Sequence, residues 1–213
     1  MKFNQTVEPV SRDRLFSDPE LTRGMIFCRD HEHILFWQDK CFMFRFALGT
    51  GLRVSEIVAL RVPEDCGADG FVWIRKSKSG RQRMVKVTPE LRPYYLARIQ
   101  RLQGQKLFPG ITTTRTLERW LDLLLEGSGI PKKRGRGMHG LRHSYATWEM
   151  ATQRLNWVEL AMQLGHKDPT CTMQVYAHSI SEFMYEEERI PKWWTTATES
   201  QKLREVKSEF AQR

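Results

Sequence analysis

The stretch MHGLRHSYAT, residues 138–147, sets His139, Arg142 and His143 within little more than one helical turn. Two imidazoles and a guanidinium this close are costly in an apolar core, where every buried polar group needs a partner. The histidines could ligate a metal, or all three side chains could hold a phosphate. The metal reading is poorly supplied. His139 and His143 stand four apart, but Gly140 occupies the place of the glutamate in HExxH, and Arg142 would repel a cation. His31-Glu32-His33 has the HxE order of a zinc deaminase, yet no PCxxC follows. No metal site is expected.

The whole chain favours a phosphate-bearing partner. Its 213 residues carry 34 Lys and Arg against 25 Asp and Glu, for a net charge of +9 and a pI near 9.6. That balance favours a polyanion, nucleic acid before membrane. Cys28, Cys41, Cys66 and Cys171 are widely spaced with no CxxC pair, which argues against a disulfide framework or a zinc module and suits a reducing cytoplasm. The N-terminal MKFNQTVEPVSRDR lacks an apolar signal core, and no apolar run is long enough to span a bilayer.

Outward from the opening stretch, periodicity describes one mainly α domain with a small antiparallel β-sheet. Residues 1 to about 30 are polar and read as an N-terminal arm with a short helix. From Ile34 to Leu48 apolar residues crowd every face, as in a buried helix that stops at Gly49-Thr50-Gly51. Residues 55–60 form a short helix. FVWIRK and RQRMVKV read as two strands with Ser77-Lys78-Ser79-Gly80 at the hairpin tip. Thr88-Pro89-Glu90 predicts a helix N-cap, and the helix it opens runs to about Gln103. Leu117, Trp120, Leu121, Leu124 and Leu125 form the apolar stripe of a helix over 114–126. MHGLRHSYAT begins another. Asn156 and Glu159 make a capping box for a helix closed by Gly165, Asp168-Pro169 opens a short helix carrying Tyr176, and helical segments near 181–189 and 198–212 follow.

A phosphodiester under attack spreads charge over its non-bridging oxygens, and guanidinium forks are the best fixed donors for it. Arg142 supplies one fork. Arg53, just past the glycine turn in GTGLRVSE with Glu56 three residues on, offers a second. ALGTGLRVSEIVALR (47–61), HGLRHSYAT (139–147), LGHKDP (164–169) and QVYAH (174–178) occur in that order, and together they resemble the catalytic domain of the tyrosine recombinases, the phage integrases and their relatives. The likeness covers about residues 35–180. It implies the DNA breaking-rejoining catalytic fold, with the catalytic domain over 31–180 and a helical tail over 181–213 available for exchange between protomers.

The resemblance implies that Arg53, His139, Arg142 and His166 surround the scissile phosphate and that Tyr176 attacks it to form a 3′-phosphotyrosine. Lys78 would protonate the leaving oxygen, with Lys76 its nearest rival. His139 would be the general acid/base and His166 a donor to the phosphate. Glu56 would support Arg53. His143, one position past Arg142, is expected to face another side and hold the helix. Lys132, Lys133, Arg134 and Arg136 form a basic loop that would clamp DNA backbone, joined by Lys76 and Arg81. Neither cofactor, metal nor ATP is implied.

The implied partners are double-stranded DNA carrying recombination sites, a homotetramer on that DNA, and a DNA-bending accessory protein. The implied origin is a bacterium, phage or mobile element. Two features depart from the family pattern. The His166-to-Tyr176 interval is one residue longer, and only some 30 residues precede the catalytic region, where full-length integrases carry a core-binding domain of about 80–100 residues. A type IB topoisomerase-like relaxase shares the chemistry but carries lysine where His139 stands. A non-catalytic DNA-binding relative would have a broken constellation. Here each part is present.

Overall fold

The two ends of the long apolar run behave differently, and this sets the architecture. In the computed structural model, which describes residues 14–75, 82–166, 168–170, 172–173 and 176, the run forms α2 (Leu35–Thr50). From Lys40 onward every residue of α2 is buried, whereas Ile34, Leu35 and Phe36 at its start are exposed. A helix apolar on all sides needs neighbours on all sides. α2 gets them from α1 (Asp18–His31), α5 (Thr114–Gly127) and α6 (Met138–Ala151).

The first of these neighbours corrects the expected polar arm. Over 14–31 the chain is part of the core: Phe16, Leu21, Met25 and Cys28 are buried, and Gly24 lets the Phe44 ring approach so closely that a methyl there would overlap it. The Glu20 carboxylate, buried near the start of α1, receives Arg136 Nη2 at 2.7 Å, and the Arg136 guanidinium lies over the Phe16 ring at 4.4 Å. The sparse apolar residues of this segment show no strong period because they meet a partner helix rather than forming a wide stripe of their own.

Between α2 and α5 come α3 (Val54–Ala59), the hairpin β1 (Phe71–Ile74) and β2 (Arg83–Lys86), and α4 (Arg92–Arg101). The strands pair antiparallel with Val72 opposite Val85 and Ile74 opposite Arg83. Strand alternation puts Val72, Ile74, Arg83 and Val85 on the inner face and the cross-strand pair Trp73 and Met84 outside. The hairpin tip lies outside the described residues, as do the segments expected to be helical near 181–189 and 198–212.

α4 starts later than Thr88-Pro89-Glu90 predicts. Thr88 accepts backbone bonds from Leu91 and Arg92 at 3.1 Å each, so these residues form a turn ahead of the helix, and Leu91 is its N-cap. α5 buries the expected leucines. α7 (Trp157–Leu164) carries the expected capping box: the Asn156 side chain accepts from Val158 and Glu159 N–H, and Glu159 accepts from Asn156 N–H. Gly165, with φ of 70°, ends it. Among the described residues no helix is long and apolar enough to cross a membrane.

Because α1 belongs to the core, Met25→Ala is expected to lower stability by about 2–5 kcal/mol in urea unfolding, the cost of a buried large-to-small change. A loss under about 0.5 kcal/mol, the range of surface substitutions, would show α1 to be a detachable arm.

Candidate active site

Three chain reversals converge on one side of the core: the α2–α3 turn, the start of α6 and the end of α7. At the first, Gly51 has φ of 62°, and the Tyr145 ring occupies the space a Cβ would need, 2.1 Å away. Both conditions demand glycine. The turn delivers Arg53 to the N-cap of α3, where its N–H donates to Glu56 Oε2 at 2.9 Å and its Nη1 to Glu56 Oε1 at 3.1 Å. Its Nη2 reaches the Gly165 carbonyl at 3.4 Å. Arg53 stays partly open to solvent, with 27% of its side chain exposed.

Arg142 lies one turn into α6 and is 2% exposed. Its Nη1 donates to the Gly51 carbonyl and its Nη2 to the Leu164 carbonyl, each at 2.7 Å. Burial, then the nearby Arg53 charge, pulls its pKa down to about 10, so it keeps its proton at pH 7 in a crowd of like charges. Such a site gains from any anion that enters.

His166 Nε2 faces Arg142 Nη2 at 3.3 Å, and its Nδ1 meets the buried Thr172 hydroxyl at 2.7 Å. A guanidinium only donates, so Nε2 is the accepting nitrogen here and Nδ1 carries the hydrogen. Burial followed by the Arg142 and Arg53 charges lowers its pKa to about 4. His139, on the first turn of α6, is exposed at its edge. Partial burial and then Arg142, Arg53 and Arg14 lower its pKa as well. Tyr176 is buried, and its Oη is 2.8 Å from His143 Nδ1.

The structure therefore brings Arg53, His139, Arg142, His166 and Tyr176 together, with Glu56 beneath Arg53. Lys78, Lys76 and Arg81 lie outside the described residues. His143 is a buried, hydrogen-bonded residue of α6, as expected, and its partner is the Tyr176 phenol. Arg136 is corrected. It is buried on Glu20 and Phe16 and cannot clamp DNA, whereas Lys133 and Arg134 are exposed and Lys132, also exposed, pairs with Asp122. His31 and Glu32 are engaged elsewhere, His31 Nδ1 donating to the Phe27 carbonyl and Glu32 pairing with Arg45.

Two further cations, absent from the sequence-based set, enter the site. Arg83 grips both oxygens of Glu56 at 2.9 Å and donates to the Gln163 carbonyl at 2.9 Å, filling the space that a side chain on Gly165 would need. Its signal is present in the sequence: Arg83 is in phase with the inner residues Val85 and Val87, and an arginine on the buried face of a strand needs a carboxylate. Arg14 has no such signal. It reaches the site because Phe16 N–H donates to Ser144 Oγ at 3.0 Å and the Arg14 carbonyl sits against Gly140, laying the segment across α6.

Residues 23–182 match the phage integrase family. The chain belongs to that family. It is 31% identical over 144 residues to the tyrosine recombinase XerA of Saccharolobus solfataricus, covering 65% of this chain and 45% of the relative. It is 35% identical over 141 residues to the tyrosine recombinase XerC of Neisseria gonorrhoeae, covering 63% and 45%. The chain thus spans less than half the length of either. Among solved structures, a XerA recombinase superposes with a TM-score of 0.64 at 22% identity, over 87% of this chain and 65% of that one. A lambda integrase tetramer bound to a Holliday junction gives 0.60 at 17% identity, over 81% and 50%. At these identities the likeness is one of fold, and the fold is that of the tyrosine recombinase catalytic domain.

The Glu56 carboxyl is held below its usual 4.5: its bonds from Arg83 and Arg53 outweigh the burial that opposes them. A depressed carboxylate stabilises the fold fully above the unfolded value and loses that contribution as pH falls through the folded one. Glu56→Gln should therefore cost about 3–5 kcal/mol near neutrality, the usual loss on breaking a buried pair. The gap from wild type should close below pH 4.5, and an unchanged gap down to about pH 3 would contradict this assignment.

Proposed function

We propose that the chain is the catalytic part of a site-specific DNA recombinase that cuts and rejoins strands through a 3′-phosphotyrosine. The observation that carries this is the convergence of Arg53, Arg142, His139 and His166 beside the Tyr176 phenol, tied by bonds from Arg142 to the Gly51 and Leu164 carbonyls. Arg53 and Arg142 would bind the non-bridging oxygens, their charge growing more favourable as the phosphorus becomes five-coordinate. Tyr176 Oη would attack, the bond to the 5′-oxygen would break, and Lys78 would protonate that oxygen. The phosphotyrosine conserves the energy of the broken bond, so rejoining requires neither ATP nor metal. His139 and His166 would donate to the phosphate. His166 must first turn its hydrogen to Nε2, a change favoured once an anion offsets Arg142 and Arg53.

Double-stranded DNA is the substrate class that fits a +9 chain with exposed Lys133 and Arg134 near α6. Assembly as a tetramer on DNA, with or without a bending protein, is proposed by analogy with the lambda integrase complex.

Incubation with nicked duplexes drawn from DNA flanking its gene should yield protein–DNA adducts that survive SDS. Tyr176→Phe should abolish them while leaving DNA retention intact, and Lys78→Ala should slow their formation. Adducts persisting in Tyr176→Phe would assign the nucleophile elsewhere. Substituting both Lys133 and Arg134 by alanine should weaken retention on all sequences alike and reduce the salt slope by about 0.9 for each phosphate no longer neutralised. An unchanged slope would remove this loop from the DNA interface.

A further inference from the structure

A guanidinium only donates, and when it is buried each of its edges calls for an acceptor. Arg142 is spent on two carbonyls and Arg83 on Glu56. Arg98 is spent on Asp39 Oδ1 at 2.5 Å and on the Leu107 carbonyl at 3.1 and 3.2 Å. Arg45 is not. It lies within α2 with 2% of its side chain exposed, and its Nη1 donates to Glu32. Its Nε and Nη2 are buried with no hydrogen-bond partner among the described residues. These two nitrogens share the guanidinium edge that points away from Cδ, and their N–H bonds run parallel, the geometry that receives both oxygens of one oxyanion. The Tyr94 ring, 4.3 Å from Arg45 Cζ, offers its face to the charge but no lone pair to either N–H.

Arg45 lines a cleft of about 230 Å³ between α2 and α4. Gln38, Phe42 and Arg45 recur at helical spacing on α2, as do Tyr94, Ala97 and Arg101 on α4, so two helix faces border the same space. Phe42 and Tyr94 are its aromatic walls, Ala97 leaves it open, and Arg101 stands exposed in the last turn of α4. Around it the guanidinium charges of Arg45, Arg98 and Arg101 outnumber the carboxylates of Glu32 and Asp39 by one.

We propose that this cleft binds a small carboxylate with an apolar body, its two oxygens on the Arg45 Nε–Nη2 fork and its body between Phe42 and Tyr94. The single surplus positive charge calls for a monoanion. A phosphodiester is also one, but a duplex backbone is too bulky to reach a fork buried this deeply. The volume lies below the roughly 300–1,000 Å³ of pockets for drug-sized ligands, which sets the ligand's size. Both fork nitrogens are covered in the ligand-free chain, so the ligand enters as the Tyr94 side chain turns aside. The assignment stands on geometry outside the candidate active site and is independent of the recombinase reading.

The test titrates the full, DNA-free chain with benzoate and, in parallel, with benzamide, which has the same shape without the charge. Benzoate should raise the melting temperature saturably and shift downfield one ¹⁵N-labelled arginine Nε–H signal, the signal absent from Arg45→Lys; benzamide should do neither. Arg45→Lys keeps the charge but loses the fork, and should weaken binding at least about tenfold, the low end for a lost charge-assisted bond. Ala97→Leu, which fills the cleft from an exposed position, should weaken it without touching Arg45, and decides alone if Arg45→Lys fails to fold. Arg53→Ala should leave the benzoate response intact. Its loss there would place the anion in the candidate active site, an equal response to benzamide would make the cleft merely apolar, and no saturable response would leave the fork without a ligand; each overturns the proposal. Tighter binding of inorganic phosphate, or of N-acetylglutamate amide with its carboxylate on a peptide-like frame, would overturn the choice of a small free carboxylate.

Discussion

A guanidinium buried against two backbone carbonyls, with Arg53 and Arg83 also close by, is the constraint on which the site depends. Arg142 draws the turn after α2, through Gly51, and the end of α7, through Leu164, onto α6. Carbonyl dipoles solvate its charge without neutralising it. The arrangement is costly in the free protein and becomes favourable when an anion enters, which suits the phosphate-binding role proposed above.

Glu56 performs the complementary task. One carboxylate, buried at 4% exposure, receives Arg53 and Arg83 and caps α3. It turns the Arg53 fork without cancelling the site's positive field, since Arg83 supplies its counter-charge. The hairpin is thereby fastened to the α3 turn and, through Gln163 and Gly165, to the loop that carries His166. Strand β2 carries Arg83, and by the same link the paired strands β1 and β2 are anchored to the α3 turn. Precision in the cluster comes from elements that share ion pairs, not from any single loop.

Some of this is readable from residue order. Local motifs have local causes: Asn156 and Glu159 cap α7 whatever surrounds it, Gly51 and Gly165 end helices because left-handed backbone tolerates little else, and the leucine period of α5 names its buried face. The order of the four family-like stretches also carries the family and the fold. The start of α4 is ambiguous in sequence because Thr88-Pro89-Glu90 satisfies cap chemistry and turn chemistry equally, and the packing of Leu91 selects the turn.

What the sequence determined by itself is therefore a helical basic domain of the phage integrase type, with two arginines, two histidines and a tyrosine named as the candidate site. Tertiary structure alone decided that 14–31 belongs to the core, that Arg136 is internal while its neighbours are not, and that Arg14 enters the site. It also decided that His143 meets Tyr176, 33 positions away. Each of these turns on a partner distant in the chain. Whether a charged or aromatic side chain is spent on another or left for a ligand depends on what folding brings within about 3 Å of it, and one-dimensional spacing does not contain that distance.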